Sequence, residues 1–156
     1  MRGSSSACRS DGRAVTAPDS QTLHASCVAL GDRGLLILGP SGAGKSSLAL
    51  RLISLGAALV ADDQTTLTVE TGRLVARCPT PIRTLIEARG IGLLRAPSVE
   101  AATIALVVDL GQTEDQRLPP TRRFTILGCS ADLVLRSAHP HFPDALMLYL
   151  SHGRQA

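Results

Sequence analysis

An α/β fold with a mixed central sheet is what this sequence of 156 residues predicts, and three features carry the expectation. Apolar runs of strand length recur at Gly34-Leu35-Leu36-Ile37-Leu38, Ala57-Ala58-Leu59-Val60-Ala61 and Thr103–Leu110, with a helical stretch between the first two. The core must be aliphatic, because the chain has two Phe, one Tyr and no Trp, as in the buried interiors of parallel sheets. The third feature is a glycine-rich octapeptide, Gly39-Pro40-Ser41-Gly42-Ala43-Gly44-Lys45-Ser46, set between a strand and a helix. It fits G-x-x-x-x-G-K-[ST].

Each element follows in order. Residues 1–20 are rich in Ser, Arg, Ala, Gly and Asp without periodicity and read as a disordered leader, so one domain is expected over 21–156. The segment Thr22–Leu30 alternates imperfectly as a strand, and Gly31-Asp32-Arg33-Gly34 turns it back into the strand at 34–38 as a hairpin. The octapeptide opens a helix in which Leu48, Leu52 and Leu55 fall at i, i+4 and i+7, with Gly56 as its stop. The next strand, 57–61, ends in Asp62-Asp63 and implies a right-handed parallel crossover. Leu67–Val69 and Arg73–Ala76 flank Glu70-Thr71-Gly72 as a second hairpin. Pro79 and Pro81 then break the chain. Thr84–Leu94 reads as a strand interrupted by a glycine-bent loop. Thr103–Leu110 is a buried strand, Gly111–Pro120 a polar loop, Arg123–Leu127 a strand and Asp144–His152 a closing helix.

The octapeptide carries the first chemistry. Glycines let backbone N–H groups curl onto phosphate oxygens, and the helix dipole favours the anion. Gly39, Pro40, Ser41, Gly42, Ala43, Gly44, Lys45, Ser46 and the following Ser47 are therefore the candidate nucleotide cradle. Lys45 reaches the β/γ-phosphates and the Ser46 hydroxyl sits on Mg²⁺. Strand, phosphate loop and helix in this order predict a nucleotide-binding P-loop protein with Mg²⁺ at Ser46; the loop alone gives a superfamily and no reaction.

Other function classes are excluded by what is missing. A net charge of +3 is scattered, with no basic run and no aromatic platform for nucleic acid. No apolar stretch is long enough for a membrane span, and no apolar signal region follows the early arginines. Cys8, Cys27, Cys78 and Cys129 form no C-x-x-C pair and read as reduced thiols of a cytoplasmic protein, Cys27 and Cys129 within the core.

Phosphoryl transfer also needs anionic support for Mg²⁺ and a group that handles the nucleophile. Two strand ends offer carboxylates, Asp62-Asp63 and Asp109. Adjacent side chains on an extended segment point to opposite faces, so Asp62 and Asp63 cannot both turn away from a neighbouring loop. Two carboxylates at such a mouth are costly unless a metal or acid/base role uses them; a turn cap is the alternative for either one.

Leu59-Val60-Ala61-Asp62-Asp63, followed by Leu85-Ile86-Glu87-Ala88-Arg89-Gly90-Ile91-Gly92, resembles the bacterial HPr kinase/phosphorylase family. That family pairs the phosphate loop with a V-A-D-D strand end and an E-x-R-G-x-G signature, and the likeness covers about residues 22–127. It implies a P-loop kinase-like fold that binds ATP and Mg²⁺, and ATP-dependent phosphorylation of a seryl hydroxyl on HPr, the phosphocarrier of the sugar phosphotransferase system. It further implies that Asp62 is the base, His24 tunes or shares its proton, and Lys45 stabilises the transferring charge. Ser46, Glu87 and Asp63 would serve Mg²⁺, Gly90 and Gly92 would bend that segment to the phosphate, and Arg117 would supply the active-site arginine, with Arg122 and Arg123 as rivals. A homo-oligomer, hexameric in full-length relatives, is implied as well.

Three departures shape the expectation. The family's N-terminal regulatory domain is not represented, which suggests a compact form. Gly128–Arg136 stands where P-V-x-x-G-R and a long helix are expected, and Pro40 replaces an acidic loop residue. Weak or absent reverse phosphorolysis follows. Two other readings remain: a small-molecule kinase using Asp109 on its metal side, and a nucleotide-sensing regulatory module.

Overall fold

The computed structural model describes residues 20–80 and 85–155. The expected leader therefore lies outside the described residues, except that Ser20 already opens β1 (Ser20–Leu23). The expected first strand is two pieces, β1 and β2 (Ser26–Leu30), broken at His24-Ala25. The rest run β3 (Arg33–Leu38), α1 (Lys45–Ser54), β4 (Ala58–Ala61), β5 (Thr65–Glu70), β6 (Arg73–Arg77), β7 (Leu85–Ala88), β8 (Gly92–Arg95), β9 (Ala101–Thr113), β10 (Arg123–Ile126), β11 (Cys129–Arg136) and α2 (Phe142–His152).

Nine strands form one mixed sheet in the order β1-β5-β6-β9-β3-β2-β4, with β11 also on β9 and β10 outside β11. β7 and β8 form a separate antiparallel hairpin. The glycine-bent stretch of the sequence is thus two strands joined by a turn. β9 is central: β3 pairs parallel along one edge, while β6 and β11 share the other. β4 runs in the same sense as β3 but is not its neighbour, because β2 lies between and pairs antiparallel with both.

Alternation along the buried strands separates two cores. Leu35, Ile37, Leu106 and Val108 face the helices and meet Leu48, Ala49, Leu52, Leu146 and Leu150. Leu36 and Val107 face the opposite way, towards Leu67, Leu74, Ala76, Cys129 and Ala131. Leu55, expected on the helix stripe, falls past the last turn and is exposed. Cys27 is fully buried, and that burial pushes its thiol up to about 12, so it packs as a small apolar group. Cys27 and Cys78 are free thiols, but Cys129 is disulfide-bonded, which corrects the expectation of reduced thiols for that residue. Residue spacing could not show it. Among the described residues no helix is long and apolar enough to cross a membrane.

Candidate active site

Strand direction gathers the candidate residues at one edge of the sheet. β3, β4 and β9 all end there, and β2, running the other way, begins there. The loop after β3, Asp62-Asp63 after β4 and His24 just before β2 therefore meet. Asp109 stands opposite Leu38, the last residue of β3. This edge is where open α/β sheets place ligands.

The loop folds as a phosphate cradle. A side chain at Gly39 would meet Ala43 Cβ at 3.1 Å and Leu110 Cβ at 3.2 Å, so the close approach requires glycine. Gly44 caps α1 in the left-handed region at φ 97°, and no side chain caps the first turn. The first N–H groups of α1 thus lack a side-chain acceptor at a pole that favours anions. Pro40 has no N–H to give, yet its carbonyl accepts from Ala43 N at 3.0 Å and so closes the turn. Lys45 is 6% exposed and donates to Gly39 O at 2.8 Å and Pro40 O at 3.1 Å. A buried ammonium resting on two loop carbonyls is poised to exchange them for phosphate oxygens.

The acids separate as the extended geometry demands. Asp62 is half-buried, and its Oδ1 accepts from Ser46 Oγ at 2.7 Å and Ser26 Oγ at 2.9 Å. Its Oδ2 makes no hydrogen bond among the described residues. Asp63 turns out to solvent at φ 71°, donates its N–H to Ser26 Oγ at 3.2 Å and meets His24 Nδ1 at 3.3 Å. His24 therefore pairs with Asp63 rather than Asp62, while its Nε2 lies 3.4 Å from Ser41 Oγ.

The donors Ser46, Asp62 and Asp63 are hard oxygens, the chemistry Mg²⁺ prefers. Among the described residues no cluster of three or more His, Cys, Asp or Glu surrounds a cation position. Glu87 is exposed on β7, whose neighbour Ile86 packs into the core beside Leu48 and Leu52. No hydrogen bond or ion pair among the described residues links Glu87 to Ser46, Asp62 or Arg89. Asp109 has both oxygens engaged by its own strand end, Gly111 N at 2.8 Å and Gln112 Nε2 at 2.9 Å. That arrangement weakens a metal role for it.

Of the three arginines considered, Arg122 pairs with Glu114, whose carboxyl those hydrogen bonds hold below its ordinary range, and Arg123 pairs with Asp132. Arg117 is exposed in the loop before β10 and makes no ion pair among the described residues.

Two contributors escaped sequence reasoning. Ser26, fully buried, holds both acid positions, through its hydroxyl to Asp62 and from Asp63 N. Arg136, at the end of β11, donates Nη2 to Ala43 O in the phosphate loop and Nε to Leu110 O at 3.2 Å. It clamps the loop to β9. Replacing it with methionine removes both bonds, and inorganic pyrophosphate should bind roughly tenfold more weakly, the lower range for one charged hydrogen bond. Calorimetric titration checks this; unchanged pyrophosphate affinity would show that the clamp does not shape the cradle.

Fold and site together define a P-loop kinase-like domain. The chain belongs to the HPr Serine kinase C-terminal domain family, whose model matches residues 16–124. It is 33% identical over 123 residues to the HPr kinase/phosphorylase of Chromobacterium violaceum, spanning 74% of this chain and 39% of that protein. The HPr kinase/phosphorylase of Aromatoleum aromaticum is 42% identical over 106 residues, 57% of this chain and 33% of the relative. The solved Hpr(Ser) kinase/phosphatase from Coxiella burnetii superposes with a TM-score of 0.67 at 30% identity, covering 82% of this chain and 86% of that one. This chain spans about two-fifths or less of the curated relatives' length.

Proposed function

We propose that this chain is an ATP- and Mg²⁺-dependent protein-serine kinase acting on an HPr-type phosphocarrier, as a homo-oligomer in the cytoplasm. The observation that carries the reading is the half-buried Asp62 carboxylate, joined to the phosphate-loop Ser46 at 2.7 Å and with Oδ2 left over. Lys45 leaves its two carbonyls for the β/γ-phosphates and spreads the charge that develops on them. Ser46 Oγ donates its hydrogen bond to Asp62 Oδ1 and so turns its lone pairs outward, where Mg²⁺ would neutralise phosphate charge. Glu87 and Asp63 are the further carboxylates proposed for that ion.

Asp62 Oδ2 accepts the proton of the attacking seryl hydroxyl as its oxygen bonds to the γ-phosphorus and ADP leaves. His24 steadies Asp63 beside the acceptor's path, and Arg117 closes over the phosphates from the loop before β10. Reverse phosphorolysis is weak or absent in this reading, because residues 129–136, where the family's P-V-x-x-G-R is expected, form strand β11.

Transfer of label from [γ-³²P]ATP to HPr, and to HPr lacking its target serine, tests the proposal. Label should appear on intact HPr alone. Label on metabolites but not HPr would favour a small-molecule kinase, and ATP binding without turnover a nucleotide sensor.

A further inference from the structure

Among the described residues, Ser26, Lys45 and Thr65 are the only buried polar or charged side chains. Lys45 belongs to the phosphate cradle. Thr65 donates its hydroxyl to Ala25 O at 2.9 Å and so fixes the chain just before Ser26. Ser26 itself opens a strand whose next residues, Cys27, Val28 and Ala29, are apolar and buried. A hydroxyl in such a place is unfavourable unless it is hydrogen-bonded. Both of its bonds go to the acid doublet.

The two bonds have a direction. The N–H of Asp63 donates to Ser26 Oγ at 3.2 Å and takes up a lone pair there. The hydroxyl proton is left to point at Asp62 Oδ1, 2.9 Å away. Asp63 takes a left-handed backbone at φ 71°, which few residues other than glycine adopt, and the bond to Ser26 holds its N–H in that turn. Ser26 pairs with Ile37 of β3, and the adjacent Cys27 pairs with Ala61 of β4, so the hydroxyl stands between the cradle strand and the acid strand.

One donor would leave the Asp62 carboxylate free to rotate about Cβ–Cγ; two donors on the same oxygen fix its plane. The other donor, Ser46, lies on α1 and answers to the phosphates and their ion. Ser26 belongs to the sheet. We propose that Ser26 is a positioning residue for phosphoryl transfer, locking the Asp62 carboxylate so that Oδ2 stays turned towards the acceptor hydroxyl. The inference rests on the reading of Asp62 as the base. Ser26 touches no substrate and takes no proton; it acts through Asp62 alone.

Single-turnover transfer from labelled ATP to HPr, with ATP affinity from titration, tests the role in wild type, Ser26→Ala, Asp62→Asn and the double variant. Alanine keeps the buried strand position filled, and the exposed Asp63 can give its freed N–H to water. Ser26→Ala should slow transfer about ten- to hundredfold, the range for one hydrogen bond to a charged group, while ATP affinity stays within about threefold. In the Asp62→Asn background the same exchange should change the rate by less than about threefold, because the group through which Ser26 acts is gone. A larger loss in that background, or a larger change in ATP affinity, overturns the positioning role and leaves Ser26 a structural residue. A loss below about tenfold in Ser26→Ala, with Asp62→Asn slow, overturns this inference alone. Asp62→Asn within about tenfold of wild type removes the base reading and this inference with it.

Discussion

Exchange of Asp62 for asparagine should lower the rate of phosphoryl transfer to HPr by about 10²–10⁴ while ATP still binds, the range for loss of a general base. The geometry makes this exchange discriminating. Asp62 Oδ1 accepts two hydroxyls, from Ser46 and Ser26, and an amide oxygen can accept the same two. The exchange removes the negative charge and converts the second oxygen into a donor, which cannot take a proton from serine. Structure at the edge of β4 should persist, so thermal unfolding should stay close to wild type. Single-turnover kinetics with labelled ATP give the rate, and titration gives the affinity. A residual rate within about tenfold of wild type would remove Asp62 as the base.

Lys45→Met is expected to raise the dissociation constant for ATP by about 100-fold or more. The lysine is buried, and among the described residues its ammonium donates only to Gly39 O and Pro40 O. Hydrogen bonds from a charged donor contribute about 1.5–3 kcal/mol each, so losing even two from the phosphates reaches that factor. Methionine keeps most of the stem's volume within the loop. Pro40 O retains Ala43 N as a donor, so little else is left unpaired. The melting temperature should move by only a few degrees, about what 1 kcal/mol produces in a domain of this size. ATP affinity within about threefold of wild type would show that the cradle does not grip through this residue.

How far the chain could be read without coordinates depended on the reach of each signal. The phosphate loop and its flanking strand and helix are local, and the octapeptide states them outright. The Thr71-Gly72 turn was equally plain, and both residues take positive φ. Strand β11 was missed although a comparable sign preceded it: Leu127 and Gly128 also take positive φ in a two-residue turn. Its residues include Ser130 and Asp132, poor strand formers, so tertiary pairing with β9 had to decide.

The acid pair was visible as a doublet, but its division of labour was not. Which acid meets Ser46 depends on the register shift between β2 and β4 at Cys27/Val28, a property of pairing that no linear pattern records. The same shift sets Ser26 beside Asp62 and leaves His24 to Asp63. Arg136 was hidden for a related reason. Its partner lies 93 residues back along the chain, across a strand that had not been recognised.

The insertion of β2 between β3 and β4 has a metric consequence. Neighbouring strands lie about 4.8 Å apart, so the strands bearing cradle and acid stand close to 10 Å from each other. That gap is fixed by the backbone ladder rather than by floppy side chains. Ser46, at the start of α1, closes the remaining distance to Asp62 at 2.7 Å, so the sheet works as a gauge block that sets where cradle and acid meet.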